Sequence, residues 1–329
     1  MKLPLTVACW DYDRTRALID GRVPIEGCDA TFFPLPVEET FFRALRHAEF
    51  DVAELSLSSY LMLLDRGDSP YIAIPAFVSR AFRHSAIYIR TDRGIRTPAD
   101  LKGRVVGVPE YQVTAAVWAR GILEDEHGVS PADLRWRTGG VEQPGRHEKV
   151  AMTLPPEIEA TAIPTDETLG QWFVDGKLDA IVAPRAPSCF IEKRPHIGRL
   201  FPDFRAAERA YFAKTGIFPI MHVVGIRRRL VAEHPWLAAS LFKAFVQAKR
   251  ACLPELAEIA ALKIMLPWLA AEYEETIAAM GADFWPYGVA GSEKTLAAIL
   301  RYHHAQGLSS RRREIAELFV PATLEQVRL

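Results

Sequence analysis

"SRAFRHSAIYI" (residues 79–89) sets Arg80, Arg83 and His84 around Phe82, directly ahead of the apolar run 86–89. Charges at the mouth of a buried strand are costly unless a negative partner meets them, so the stretch predicts an anion-binding edge. "PIMHVVGIRRRL" (219–230) repeats the move from strand pattern into helix. Two such crossings bracket a middle segment, and a chain that crosses twice builds two lobes with a cleft between them. The expected partition is residues 1–88 with 221–329 as lobe 1, discontinuous in sequence, and residues 89–220 as lobe 2.

Outward from these crossings, strands and helices alternate. "KLPLTVACW" (2–10) has the pattern of a buried strand, and "VEETFFRALRHAEF" (37–50) is helical, with Glu38 and Glu39 in its first turn. "FDVAELSLSSYLMLLDRG" (50–67) passes from strand to helix near Ser58, and "YIAIPAFVSR" (71–80) is β-branched and aromatic. A second unit opens at "RVVGVP" (104–109), and its helix runs through "YQVTAAVWARGILEDEHG" (111–128) to a stop at Gly128. "ETLGQWFVDGKLDAIVAP" (167–184) repeats helix then strand, while residues 137–165, rich in Gly, Pro and charge, form a loop with an edge hairpin. From "HPWLAASLFKAFVQAKRAC" (234–252) onward the chain is helical except for "DFWPYG" (283–288), a packed aromatic turn, and these helices return to lobe 1. His303 and His304 point apart on a helix toward solvent, as does "RRRE" (311–314). The alternation predicts an α/β fold with largely parallel sheets.

With 329 residues, 49% hydrophobic and 25% charged, the chain can bury two sizeable cores. A formal net charge of −1 provides no global field for nucleic acid or an anionic membrane, so anion preference must come from local arrangement. Cys9, Cys28, Cys189 and Cys252 are far apart, without CxxC or zinc spacing, and are expected as reduced thiols. The N-terminal stretch lacks a secretory h-region and no later run is long enough to span a bilayer, so the expectation is a cytoplasmic protein.

"DYDRTRAL" (11–18), residues 38–61, "FRHSAIYI" (82–89), residues 100–123, "KTGIFPIMHVVGIRR" (214–228) and "DFWPYG" together resemble the 4,5-dihydroxyphthalate decarboxylases over most of the chain. The resemblance implies the two-lobed fold of type II periplasmic binding proteins, with two crossing strands at the hinge. It also implies removal of one carboxylate from 4,5-dihydroxyphthalate or a close hydroxylated relative, giving protocatechuate and carbon dioxide. Direct loss of carbon dioxide would leave an aryl anion. Each carboxylate lies para to a hydroxyl, so deprotonating that phenol allows an acid to protonate the ring carbon first.

Such chemistry needs a cationic grip on the retained carboxylate, a base for the phenol and an acid aimed at the ring. Arginine suits the grip, since its planar fork meets a carboxylate with two parallel hydrogen bonds. Arg80 and Arg83 at the first crossing, Arg14 and Arg16 after the first strand, and Arg185 in "VAPRAP" (182–187) are the candidates. Asp13 orients them or accepts a phenol proton. Ser58 and Ser59 stand at a helix start, and Tyr111 and Thr114 at another, where free N–H groups favour an anion. His84 and His222 are the candidate acids because an imidazole titrates near neutrality, and Glu110 is a candidate base or proton carrier.

No cofactor is expected. A divalent metal held by the two histidines with Glu110 or Asp13 is the alternative, although no HxH or HExxH spacing supports it. The competing function is a non-catalytic solute-binding protein for an aromatic carboxylate, cytoplasmic or of the ABC type. The partner in either case is a small aromatic dicarboxylate, with neither nucleic acid nor membrane, and a homo-oligomer stays open.

Overall fold

The computed structural model describes residues 1–325. Its strands are β1 (Leu3–Ala8), β2 (Cys28–Phe33), β3 (Val52–Ser56), β4 (Tyr71–Arg80), β5 (Ile87–Arg90), β6 (Val105–Val108), β7 (Arg135–Thr138), β8 (Ala160–Ala162), β9 (Ala180–Val182), β10 (Ile197–Arg199) and β11 (Ile220–Arg227). Its α-helices are α1 (Asp13–Ile19), α2 (Val37–His47), α3 (Leu57–Arg66), α4 (Thr114–His127), α5 (Leu169–Val174), α6 (Ser188–Ile191), α7 (Phe204–Thr215), α8 (Arg228–Glu233), α9 (Leu237–Leu256), α10 (Leu269–Met280) and α11 (Glu293–Ala305).

The strands form two sheets, ordered β2-β1-β3-β11-β4 and β10-β5-β9-β6-β7-β8. In the first, only β11 runs against its neighbours β3 and β4, and in the second β5 runs against β9 and β10. The chain leaves the first sheet after β4, enters the second at β5, and returns from β10 through α7 to β11. The two passages are tied where Ala81 N–H donates to the Pro219 carbonyl at 3.1 Å. Because β1, β3 and β4 are parallel, their carboxyl ends and the start of β11 share one edge, where open α/β sheets bind ligands.

Core packing explains how the lobes meet. All five residues of β3 are buried, which suits a central strand covered on both faces, yet one of them is Glu54. Ten residues of α4 are buried because it packs against α11, α3 and β11. Trp118 meets Tyr302 edge-on at 5.6 Å. A Cβ at Gly121 would fall 2.3 Å from the Tyr302 ring, so only glycine allows this approach. The predicted stop at Gly128 is a left-handed cap with φ 63°.

Several expectations are corrected. The C-terminal helices divide: α9 packs on the first sheet through Leu241, Phe242 and Phe245, whereas α11 packs on α4. Residues 137–165 hold no hairpin; β8 pairs parallel to β7, which the long connection between them permits. The segment 257–268 is not helical, since Pro254 removes an N–H near the end of α9 and Pro267 precedes α10. His303 is fully buried, not solvated: its ring spans Ser309 Oγ at 2.9 Å and Ser58 Oγ at 3.1 Å, and burial lowers its pKa to about 4. Within "RRRE", Arg313 is half-buried against Asp65 at 3.3 Å.

Candidate functional site

At the cleft edge of the first sheet, β3 and β11 place Glu54 and His222 together. Glu54 is fully buried, and its Oε1 lies 2.6 Å from His222 Nδ1 and accepts from Tyr12 O–H at 2.7 Å. Its Oε2 accepts from Trp10 N–H at 3.0 Å, with Cys9 Sγ at 3.6 Å. Burial alone would raise the Glu54 pKa, but the His222 hydrogen bond and charge, with the Trp10 and Tyr12 donors, outweigh it and hold the carboxyl below its usual range. Burial and the Glu54 charge push the Tyr12 phenol and Cys9 thiol upward, so both remain protonated donors. Nδ1 of His222 is thus engaged by a carboxylate, which leaves Nε2 without a hydrogen-bond partner among the described residues. Phe41 of α2 packs edge-on against the imidazole at 4.8 Å.

Arg14 stands beside this group. Its guanidinium is sandwiched between Tyr12 at 4.1 Å and Trp285 at 4.3 Å. Nε donates to the Val78 carbonyl at 2.7 Å and Nη1 to Asp13 at 2.9 Å, leaving Nη2 uncommitted among the described residues. The aromatic turn "DFWPYG" therefore acts as a wall for this cation, with Trp285 Nε1 anchored to the Phe77 carbonyl.

Across the cleft, four charges join the lobes. Glu38 in the first turn of α2 pairs with Arg146 Nη2 at 3.0 Å and Lys149 Nζ at 2.9 Å. Both cations come from the connection between β7 and β8 and also bind the buried Glu110, Arg146 Nη2 at 2.6 Å and Lys149 through both its ammonium and its backbone N–H. Burial would raise the Glu38 pKa, but Lys149, Arg146 and the nearby Arg185 charge hold it low. Glu148, between the two cations in sequence, sits on the N–H groups ahead of α4: Tyr111 at 2.5 Å and Gln112 at 3.4 Å. Burial raises its pKa to about 7, with the Glu110 charge adding to the shift and the Tyr111 N–H opposing it.

The sequence candidates distribute unevenly around these centres. His222 and Arg14 come together, and Arg185 is exposed on its loop with its field reaching Glu38. Asp13 and Arg16 turn toward a surface pocket of about 190 Å³ shared with Arg22 and Lys263, and Arg16 is held there by Asp11 at 2.7 Å. Arg80 is buried as a clamp, donating to the Phe218 and Pro286 carbonyls and to Ser292 Oγ at 2.8–2.9 Å. The negative partner expected for it is replaced by neutral acceptors and the Phe77 and Phe218 rings, and burial lowers its pKa to about 9. Arg83 is half-buried with Nε 3.1 Å from Met221 S, and burial lowers its pKa to about 10.

His84 is not brought near His222. It is enclosed by Phe201 and Tyr211, and burial, with the His127 charge, lowers its pKa to about 4. Ser58, Ser59 and Thr114 are consumed in the joint between α3 and α4. Thr114 Oγ1 accepts from Ser58 N–H and meets Ser56 Oγ, each at 3.0 Å, while Ser59 Oγ bonds the Gln112 amide at 3.2 Å. Tyr111 is core, stacked under Arg120 at 3.7 Å. Glu110 is locked between two cations rather than free as a base. Among the described residues, no group of three or more His, Cys, Asp or Glu side chains is arranged to hold a metal ion.

Sequence reasoning missed Glu54, Arg146 and Lys149. Glu54 carried a signal, a carboxylate inside the apolar run "DVAELS", whereas the two cations lay in a stretch dismissed as loop.

The chain is 46% identical over 328 residues, 100% of its length and 99% of the relative's, to a 4,5-dihydroxyphthalate decarboxylase of Comamonas testosteroni. The chain belongs to the 4,5-dihydroxyphthalate decarboxylase family. A 4,5-dihydroxyphthalate decarboxylase of Pseudomonas putida is 49% identical over 211 residues, 64% of this chain and 82% of that relative. Residues 17–166 match the family model described as ABC transporter, phosphonate, periplasmic substrate-binding protein. The periplasmic aliphatic sulphonate binding protein SsuA of Escherichia coli superposes with a TM-score of 0.53 at 13% identity, covering 99% of this chain and 100% of that one. This decarboxylase family member therefore has the type II periplasmic-binding-protein-like fold that the family resemblance implied. Among its described residues, no helix is long and apolar enough to cross a membrane.

Proposed function

We propose that this chain is a carboxy-lyase that removes one carboxylate from 4,5-dihydroxyphthalate, giving protocatechuate and carbon dioxide. The carrying observation is the buried Glu54 carboxylate 2.6 Å from His222 Nδ1, which leaves Nε2 without a partner among the described residues and free to donate. Membership of the family supplies the substrate class.

In this reading Arg14 Nη2 steadies a substrate oxygen and His222, as imidazolium, is the catalytic acid. A substrate phenol gives up its proton to solvent and pushes density onto the para carbon, which takes the His222 Nε2 proton. The C–C bond then breaks, its electron pair restores the aromatic ring as a phenolate, and carbon dioxide leaves. Return of the phenol proton completes the product, and solvent reprotonates His222, so one proton is consumed per turnover. Glu54 is a positioning residue that orients the ring and stabilises its cationic form. Proton and charge pass through side chains, without a cofactor. We place the reaction in the cytoplasm, where four buried, unpaired cysteines suit reducing conditions.

Purified protein incubated with 4,5-dihydroxyphthalate in deuterated water should yield protocatechuate carrying deuterium at the vacated carbon. His222→Gln should lose turnover by about 10²- to 10⁴-fold, the usual contribution of acid–base catalysis, while still binding phthalate. Binding by the wild-type protein without turnover at high enzyme concentration would instead favour a solute-binding protein.

A further inference from the structure

We infer that Arg146 and Lys149 are the second-lobe grip for a substrate carboxylate, and that Glu38 occupies the place of that carboxylate when the cleft is empty. The inference rests on the decarboxylase reading and deepens it.

The charge count of the network carries the argument. Glu110 is buried and belongs to the same lobe as both cations, so it stays with them in any lobe arrangement. Glu38 belongs to the facing lobe and reaches them only across the cleft, at 3.0 and 2.9 Å. If the lobes part, two cations are left with one carboxylate, and the remaining positive charge calls for an anion at the Glu38 position. Glu148 cannot supply it, because its oxygens are committed to the Tyr111 and Gln112 N–H groups.

Position agrees with charge. Glu38 and Phe41 are three residues apart on α2, so they share a face and stand about 4.5 Å apart along the axis at 1.5 Å per residue. Phe41 packs on His222 at 4.8 Å. A carboxylate replacing that of Glu38 would thus stand on the face of α2 whose Phe41 ring packs on the His222 acid. Arg185, exposed and with its charge already felt at Glu38, adds to the same anion site.

The competition gives the test a sign. Phthalate, which lacks the hydroxyls needed for turnover, is titrated calorimetrically into wild-type protein and the variants Glu38→Gln and Arg146→Gln. Glu38→Gln, by removing the internal competitor, should tighten phthalate binding about 5- to 10-fold, and Arg146→Gln should weaken it about 10- to 100-fold, the order of one charge-assisted contact. A misfolded Glu38→Gln protein cannot mimic tighter binding, and thermal melts check that Arg146→Gln is folded. Unchanged or weaker phthalate binding by Glu38→Gln overturns the inference, as does unchanged binding by folded Arg146→Gln. Wild-type turnover of 4,5-dihydroxyphthalate is followed in parallel. If it proceeds while the binding pattern fails, only the grip is wrong; if it is absent, the decarboxylase reading itself falls.

Discussion

Replacing Glu54 with Gln isolates what its charge does for His222. The amide keeps nearly the same volume in a fully buried position and retains an oxygen for Trp10 N–H or Tyr12 O–H, so the fold should survive. What disappears is the negative charge 2.6 Å from Nδ1. Hydrogen bonds to charged groups are worth roughly 1.5–3 kcal/mol in proteins. At about 1.36 kcal/mol per tenfold, that is a loss of about 10- to 150-fold in the rate of proton delivery. The assay is initial-rate formation of protocatechuate, with phthalate affinity measured separately by calorimetry. The loss should fall on kcat, leaving phthalate affinity nearly unchanged, because Glu54 stabilises the acid and does not touch the ligand. Unaltered kcat in a folded Glu54→Gln protein, or a loss confined to KM, would refute the assignment of His222 as the acid held by this carboxylate.

Three further outcomes follow from the same geometry. Glu148 has its pKa raised from 4.5 to about 7, so its ionisation weakens the fold progressively as pH rises from about 4.5 to 7; the shift of about 2.5 units caps the effect at about 3 kcal/mol. Glu148→Gln should therefore melt higher than wild type at pH 8 and nearly equal to it at pH 4.5, and the opposite ordering would contradict the burial argument. Arg80→Lys loses the fork that spans Phe218, Pro286 and Ser292, and should cost about 2–4 kcal/mol, a drop of several degrees in Tm, without selectively raising KM. Exhaustive chelation, with metal content checked by elemental analysis, should leave the decarboxylation rate unchanged, and a loss restored by one divalent ion would mean that the reaction is routed through that ion.

The two-sheet plan was legible because local patterning carries it: β-branched runs and the Gly128 stop each act within a few residues. His222 near the start of β11 and Arg14 in the first turn of α1 both stood out in the sequence as polar groups beside buried strands. Arg80 misled because its composition says cation while its surroundings offer carbonyls, and sequence does not tell which acceptors fold back from residues 218, 286 and 292. His84 misled in the same way, since its pocket is built from Phe201 and Tyr211, far along the chain. The cross-lobe charges were hidden for a different reason. Glu38 and Arg146 are separated by 108 positions and meet only once both lobes exist, and nothing local to either segment announces the other.

The placement of these groups bears on which carboxylate leaves. Tight pairing with the departing group would stabilise the ground state and vanish in the product, so cations should hold the carboxylate that stays. On the proposed grip, Arg146 and Lys149 do that on one side, while the group nearest His222 faces the buried edge of Phe41. A carboxylate pressed against an aromatic hydrocarbon loses hydration that neutral carbon dioxide does not require, so the same wall that seats the imidazole favours loss of the charge beside it. On the same proposal, closing the lobes would bring the cations to the retained carboxylate and exclude water from the carbon that His222 protonates. A monocarboxylate could occupy the grip or the reacting position but not both, and the chemistry accordingly ends after a single decarboxylation.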